Sequence, residues 1–109
     1  MEESILEKKN NAIRLNENDN VAIALVNIRR DKSALIQGID EEVKVKKGIP
    51  YGHKIAIEFI GVGEKVLKYG ECMGIATEDI PKGYHVHVSN VRGLNDEEHS
   101  KIINELERT

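Results

Sequence analysis

A chain of 109 residues with 32% charged side chains, 4% aromatics and no Trp makes one small domain, whose core must be built from Ile, Val, Leu and Ala. Its 16 basic and 19 acidic residues leave a net charge of −3, which argues against a surface dedicated to nucleic acid. A single cysteine, Cys72, excludes an internal disulfide and a thiolate metal cage. The lack of a long apolar run or signal-like start reads as a cytoplasmic chain with no membrane partner.

Residues 1–11 end in Lys8-Lys9-Asn10-Asn11 without periodicity and read as a flexible or loosely docked arm, with Ile5 and Leu6 as possible anchors. From residue 12 to 92 the pattern is that of a β domain. Ala12-Ile13-Arg14-Leu15 is a short strand, residues 16–20 form an Asn-rich turn, and residues 21–25 form an apolar, buried strand. Residues 27–42 carry Arg29-Arg30-Asp31-Lys32 and Gly38 with no readable pattern. Val43-Lys44-Val45 alternates, and Lys44, Lys46 and Lys47 suit a solvated strand edge. Further strands are expected at 53–58, 65–69, 75–77 and 84–88, with glycine turns at 61–63 and between Gly70 and Gly74. Cys72 lies in that glycine-flanked stretch and reads as a small packed residue.

Residues 93–109 change period. Asn95 suits a helix N-cap, and Asp96, Glu97 and Glu98 suit the positive end of a helix dipole. His99, Ile102, Ile103 and Leu106 make one narrow stripe, with His99 half-buried. A helix this short is marginal alone and should dock, on its own β body ahead of a partner.

One feature carries more information than the rest. Ile49-Pro50-Tyr51-Gly52-His53-Lys54-Ile55 is echoed by Ile80-Pro81-Lys82-Gly83-Tyr84-His85-Val86-His87-Val88, with looser versions at Ile60-x-x-Gly63 and Leu15-x-x-Asn18. Each reads as a turn with Gly or Asn in the left-handed position, followed by a strand. The two copies hold three of the four histidines. Residues i and i+2 of a strand share a face, so His85 and His87 should point together while Val86 and Val88 point inward. Two such imidazoles can hold a divalent metal or divide acid and base roles. A structural histidine face is the competing reading, because further ligands are not displayed nearby; Glu71, Glu78 and Asp79 could complete a site only if the fold returns them. His53 stands at the matching position of the first copy. Lys54 could bind a carboxylate or snorkel at the surface. Tyr69-Gly70-Glu71 reads as an exposed or a substrate-facing loop.

Five ordered blocks carry a resemblance: Asp19-Asn20-Val21-Ala22-Ile23-Ala24-Leu25, Ile49-Pro50-Tyr51-Gly52-His53-Lys54-Ile55-Ala56, Gly63-Glu64-Lys65-Val66-Leu67-Lys68-Tyr69-Gly70-Glu71, Gly74-Ile75-Ala76-Thr77-Glu78-Asp79-Ile80 and Gly83-Tyr84-His85-Val86-His87-Val88-Ser89-Asn90. Together they resemble the N-terminal SAF-type domain of the altronate and galactarate dehydratase family, over roughly Ala12 to Val91 except the insert around Arg29–Glu42. The resemblance implies a mostly β, β-clip fold with a short C-terminal helix. It also implies loss of water from a sugar acid to give a 2-keto-3-deoxy acid, usually with a divalent metal such as iron or manganese.

Many members fuse this domain to a larger catalytic one, and the sulfolactate sulfo-lyase small subunit is a separate chain. The resemblance therefore implies a small subunit that partners a large dehydratase subunit and a sugar-acid substrate. The carry-over gives His87, His53 and Lys54 as catalytic residues, Asn90, Glu71 and Tyr69 as substrate-binding, and His85 with His87 as metal ligands. The family's strand often ends His-x-His-Asn; here Ser89 stands at the second histidine, and His85 lies two residues upstream of His87 on the same strand face, where it could compensate. The alternatives are a noncatalytic SAF module that binds a sugar acid or a partner protein, and the small subunit of a sulfolactate sulfo-lyase.

Overall fold

The echo in the sequence is an echo in hydrogen bonding. In the computed structural model, which describes residues 9–108 and side chains to residue 104, the N–H groups of His53, Glu64 and Tyr84 each close a tight turn. They donate to the carbonyls of Pro50, Gly61 and Pro81 at 3.0, 2.9 and 3.1 Å. Gly52, Gly63 and Gly83 occupy the left-handed position, with φ of 84°, 86° and 91°, which a side chain would strain.

Each turn then hooks onto an alanine of a facing segment. Gly52, Gly63 and Gly83 donate to the carbonyls of Ala24, Ala76 and Ala56, each at 2.8 Å. The same alanines donate back to the carbonyls of His53, Glu64 and Tyr84. All three alanines are buried, and the isoleucines that precede the turns (Ile49, Ile60 and Ile80) sit in the core, bridged as Ile28–Ile49 and Ile60–Ile80. A methyl side chain at the hook lets the turn lie against its strand, and the isoleucine anchors it.

The opening copy differs. Its turn closes from Asp19 N–H to the Asn16 carbonyl, and the Asn16 side chain accepts from Asn18 N–H at 2.9 Å. Asn18 is not left-handed; among the described residues only Asp31 and Tyr69 are, apart from glycines. An Asx turn does there what glycine does in the other copies.

The strands are β1 Ala12–Ile13, β2 Val21–Ala24, β3 Ser33–Gln37, β4 Glu42–Lys44, β5 Lys54–Ala56, β6 Lys65–Lys68, β7 Glu71–Ala76, β8 His85–Val86 and β9 Val91–Arg92, followed by helix α1 Asp96–Arg108. Six strands pair in the order β4-β3-β1-β2-β5-β8, and three in the order β6-β7-β9. Among the described strands, only the β1–β3 pair is parallel. Two aliphatic clusters result, one around Ile28, Ile36, Val45, Ile49 and Ile55, the other around Val21, Ile60, Val66, Ile80 and Val86. The expected aliphatic core is present: Tyr51, Phe59, Tyr69 and Tyr84 all stand exposed.

Other expectations about the strands need correction as well. The unreadable stretch contains β3, whose Ala34 and Ile36 alternate into the core. Asn11, counted with the arm, is tied to that strand by accepting from Leu35 N–H and donating to the Ser33 carbonyl; Ile5 and Leu6 lie outside the described residues. Gly74 is no turn residue but lies inside β7, where a Cβ would collide with the Arg92 carbonyl and Val91. Leu25 lies past the end of β2 and is 41% exposed.

The helix starts as its sequence asks. Glu98 N–H donates to Asn95 Oδ1 at 2.8 Å and Asn95 N–H to Glu98 Oε1 at 2.9 Å, a reciprocal capping box. Ile102 turns toward a groove shared with Leu67, Cys72 and Leu94. His99 is exposed rather than half-buried, and Ile103 is 53% exposed, so the stripe covers little of the body. The Leu106 side chain lies outside those described.

Candidate histidine site

Strands β5 and β8 run antiparallel, with Lys54 opposite Val86 and Ile55 opposite His85. Continued by one residue, that register sets His53 opposite His87, with His85 two positions along on the same face. The three rings stack accordingly. Centroids lie 4.3 Å apart for His53 and His87, 5.1 Å for His53 and His85, and 5.2 Å for His85 and His87, with interplanar angles of 23°, 22° and 11°. His53 Nδ1 and His85 Nε2 are 2.9 Å apart, so one of them carries a proton that the other accepts. One ring nitrogen from each histidine lies within 4.8 Å of the others, and all three residues are half-buried.

The charged groups that bear on His85 are all basic. The His85 pKa is lowered from the ordinary 6.5 by burial first, then by His53, His87, Lys47 and Lys54. Lys54 is lowered from 10.5 by burial and by Lys68. Desolvation and like charge both disfavour the protonated forms, so His85 is held neutral and open to donate a lone pair. Lys54 and His87 also line a pocket of about 220 Å³ with Met73, Val88, Val91, Arg92 and Gly93.

Val88 does not face the core. It is 80% exposed, whereas Val86 is fully buried, because the strand ends at Val86 and the chain turns. Asn90 N–H donates to the His87 carbonyl at 3.0 Å. The Asn90 side chain accepts from His87 N–H at 2.9 Å and donates to the His85 carbonyl at 2.8 Å. Asn90 is itself 8% exposed, so its amide is engaged in shaping the turn that aims the two histidines.

The structure keeps the remaining expected residues apart from the cluster's pocket. Tyr69 stands 69% exposed on the β6–β7 hairpin, and its N–H and that of Gly70 are held by the carboxylate of buried Asp19 at 2.7 and 2.8 Å. Glu71 lines a separate groove with Lys65, Cys72, His99 and Ile102. Cys72 is half-buried, with Sγ 3.4 Å from the Gly74 carbonyl.

Residues 10–94 match the family described as the altronate/galactarate dehydratase SAF domain. The chain belongs to that family. Its mostly β build with curled sheets and one C-terminal helix is accordingly a SAF-like β-clip. It is 36% identical to altronate dehydratase of Bacillus subtilis (strain 168) over 80 residues, 73% of this chain and 16% of that protein. It is 33% identical to galactarate dehydratase (L-threo-forming) of Escherichia coli (strain K12) over 79 residues, 72% of this chain and 14% of that one. Against (2R)-sulfolactate sulfo-lyase subunit alpha of Chromohalobacter salexigens the identity is 43% over 51 residues, 47% of this chain and 54% of that subunit. The SAF chain thus spans only about a sixth of the dehydratases it matches.

Sequence reasoning about this SAF domain overlooked two groups. Arg92 lines the pocket beside Lys54 and His87, and Lys47 bears on His85. Arg92 lies just past the last matched block, and the lysines around residue 47 read as an ordinary solvated edge; neither carries a local signal. No helix among the described residues is long and apolar enough to cross a membrane.

Proposed function

We propose that this SAF domain is the small component of a sugar-acid dehydratase, and that it contributes His87, His53 and Lys54 to an elimination site shared with a larger catalytic subunit. The observation that carries the reading is the convergence of three imidazoles from two turn-strand units beside a half-buried lysine. The relatives' names supply the substrate class, a hydroxylated carboxylic acid such as altronate or galactarate.

The chemistry suits these side chains. The proton next to the carboxylate must leave, and imidazole takes it near neutral pH. The electron pair then forms the carbon–carbon double bond as the neighbouring C–O bond breaks. The departing hydroxyl collects a proton and leaves as water, and the resulting enol tautomerises to a 2-keto-3-deoxy acid. His87, stacked on His53, is the proton carrier in this proposal. Lys54 balances the carboxylate, whose negative charge grows as the α-proton leaves.

Three imidazoles, each with a ring nitrogen within 4.8 Å of the others, fit a borderline divalent cation such as iron better than manganese, which favours oxygen donors. His85 and His87 are the residues proposed to hold it, and His53 would then carry the proton, because a metal-bound imidazole has no lone pair left to accept one. Such a cation would supply Lewis-acid stabilisation of the enolate oxygens.

One comparison favours a second reading. The match to (2R)-sulfolactate sulfo-lyase subunit alpha of Paracoccus pantotrophus covers 79% of that subunit, so the same site could serve a lyase that eliminates sulfite from sulfolactate. Assays of altronate, galactarate and sulfolactate, by the chain alone and with its large partner, separate these readings. Turnover of a sugar acid only with the partner is expected. Turnover of sulfolactate alone among the three would favour the second reading, and robust turnover by the isolated chain would overturn the subunit assignment.

A further inference from the structure

The pocket beside His87 and Lys54 holds one more cation, Arg92, and that cation is already occupied. Arg92 Nη1 and Nη2 donate to Glu98 Oε1 and Oε2, both at 2.8 Å. Two parallel N–H···O bonds of this kind are how a guanidinium recognises a carboxylate. Glu98 comes from the first turn of α1 and is the same carboxylate that closes the capping box with Asn95.

We propose that Arg92 is a carboxylate-anchoring residue of the histidine site, and that Glu98 is its resident occupant, displaced when a sugar acid binds. This rests on the function proposed above and adds a specificity contact to it.

Three observations lead there. No Asp or Glu lines the pocket, whose charged members are Lys54 and Arg92, in a chain whose overall charge is −3. Arg92 is firmly placed: β9 lies so close on β7 that Gly74 has no room for a Cβ. The Arg92–Glu98 pair, by contrast, is open to solvent, with side chains 45% and 28% exposed, and exposed pairs exchange readily with competing ions. A substrate carboxylate that also meets Lys54 and the imidazoles has more contacts to offer than Glu98 has. The hydrogen bond from Arg92, followed by that from Asn95, holds the Glu98 carboxyl down at about 2, so the occupant is charged at every working pH.

Glu98→Gln separates the occupant from the helix cap, because glutamine also closes a capping box while losing the charge that grips Arg92. The probe is galactarate, titrated by NMR into wild type, E98Q, R92A, R92K and R92A/E98Q, with the histidine ring signals as reporters. The expected result is tighter binding for E98Q by several-fold, weaker binding for R92A on the order of tenfold, an intermediate R92K, and no gain from E98Q once Arg92 is absent. Circular dichroism checks each variant's fold, and R92K with E98Q decides the matter should R92A misfold. Histidine signals that respond to galactarate with the same affinity in E98Q, R92K and wild type would overturn the anchor and leave the proposed function standing. Galactarate that moves neither the histidine nor the Arg92 signals in wild type or E98Q, with the large partner present as well as absent, would overturn both.

Discussion

His53 and His87 lie ring upon ring, with centroids 4.3 Å apart and planes 23° from parallel, although 34 positions separate them in the sequence. The backbone brings the rings together: the pairing of Lys54 with Val86, continued by one residue, sets the two histidines opposite each other, and the Asn90 turn holds His87 there. A proton on His53 or His87 is felt by His85. His85, hydrogen-bonded to His53, should therefore titrate below the ordinary 6.5, and His53→Ala should raise it by removing one of the neighbours that depress it. Histidine ring shifts followed by NMR from pH 4 to 8 check both statements; an unmoved His85 in the variant would contradict them.

The same shift sets a direction for stability. The folded-state pKa of His85 lies below the unfolded value, so the unfolded chain binds the proton first as pH falls. Stability should be flat above the ordinary imidazole pKa of 6.5 and decline as the pH drops below it toward the depressed folded value. The His85→Ala variant should show a weaker decline. Melting temperatures between pH 8 and 5 test this.

Glu98 acts in a lower window. Its carboxyl is lowered from 4.5 to about 2 by Arg92 and Asn95, so its contribution is complete above pH 4.5 and is lost as pH falls toward 2. The difference in helix content between wild type and Glu98→Gln, read by circular dichroism, should shrink across that window. A difference that persists at pH 2 would mean the ion pair is not its source.

Asn90 holds the turn after β8 through His85 and His87. Asn90→Ala leaves a backbone N–H and a carbonyl without partners and should cost about 1–3 kcal/mol. It should also broaden the His87 ring signals, which a loss of bulk stability alone would not do. Urea unfolding and NMR line widths report the two effects separately.

Gly74 and Gly93 offer a matched pair. A Cβ at Gly74 meets the Arg92 carbonyl and Val91, whereas one at Gly93 meets nothing within 4 Å. Gly74→Ala should therefore destabilise by about 1–3 kcal/mol, as overpacking does, while Gly93→Ala should stay within about 0.5 kcal/mol of wild type, as surface changes do. Denaturant midpoints decide it.

Much of this was legible in the chain because Ile-Pro-x-Gly states its own geometry. Glycine names the left-handed position, isoleucine the anchor, and the strand that follows begins at a known phase. His-x-His then had to share a face, and the echo supplied His53. What the pattern could not show was where alternation stops. Val88 continues the period of Val86 in sequence, yet a side chain three residues beyond His87, Asn90, ends the strand and turns Val88 to solvent. Strand β3 was hidden for the opposite reason, because Leu35 is half-exposed between Ala34 and Ile36 and the flanking charges mask the two buried positions. Gly74 looked like a turn because a glycine needed for close approach reads the same as one needed for φ. The Arg92–Glu98 pair joins a strand to a helix cap, and no single periodicity spans that junction.

The central claim is that the histidine cluster performs the proton transfers of a sugar-acid elimination. Turnover of altronate or galactarate by the chain assembled with its large partner, compared between wild type and His87→Ala, tests it most directly. Val86→Ala serves as the control, since Val86 is fully buried and its truncation should cost about 2 kcal/mol of stability. The account predicts that His87→Ala melts within a few degrees of wild type while turnover falls ~10²–10⁴-fold, as loss of a general acid or base does. Near-normal turnover by His87→Ala would contradict it and leave the three imidazoles as a structural face of a binding module.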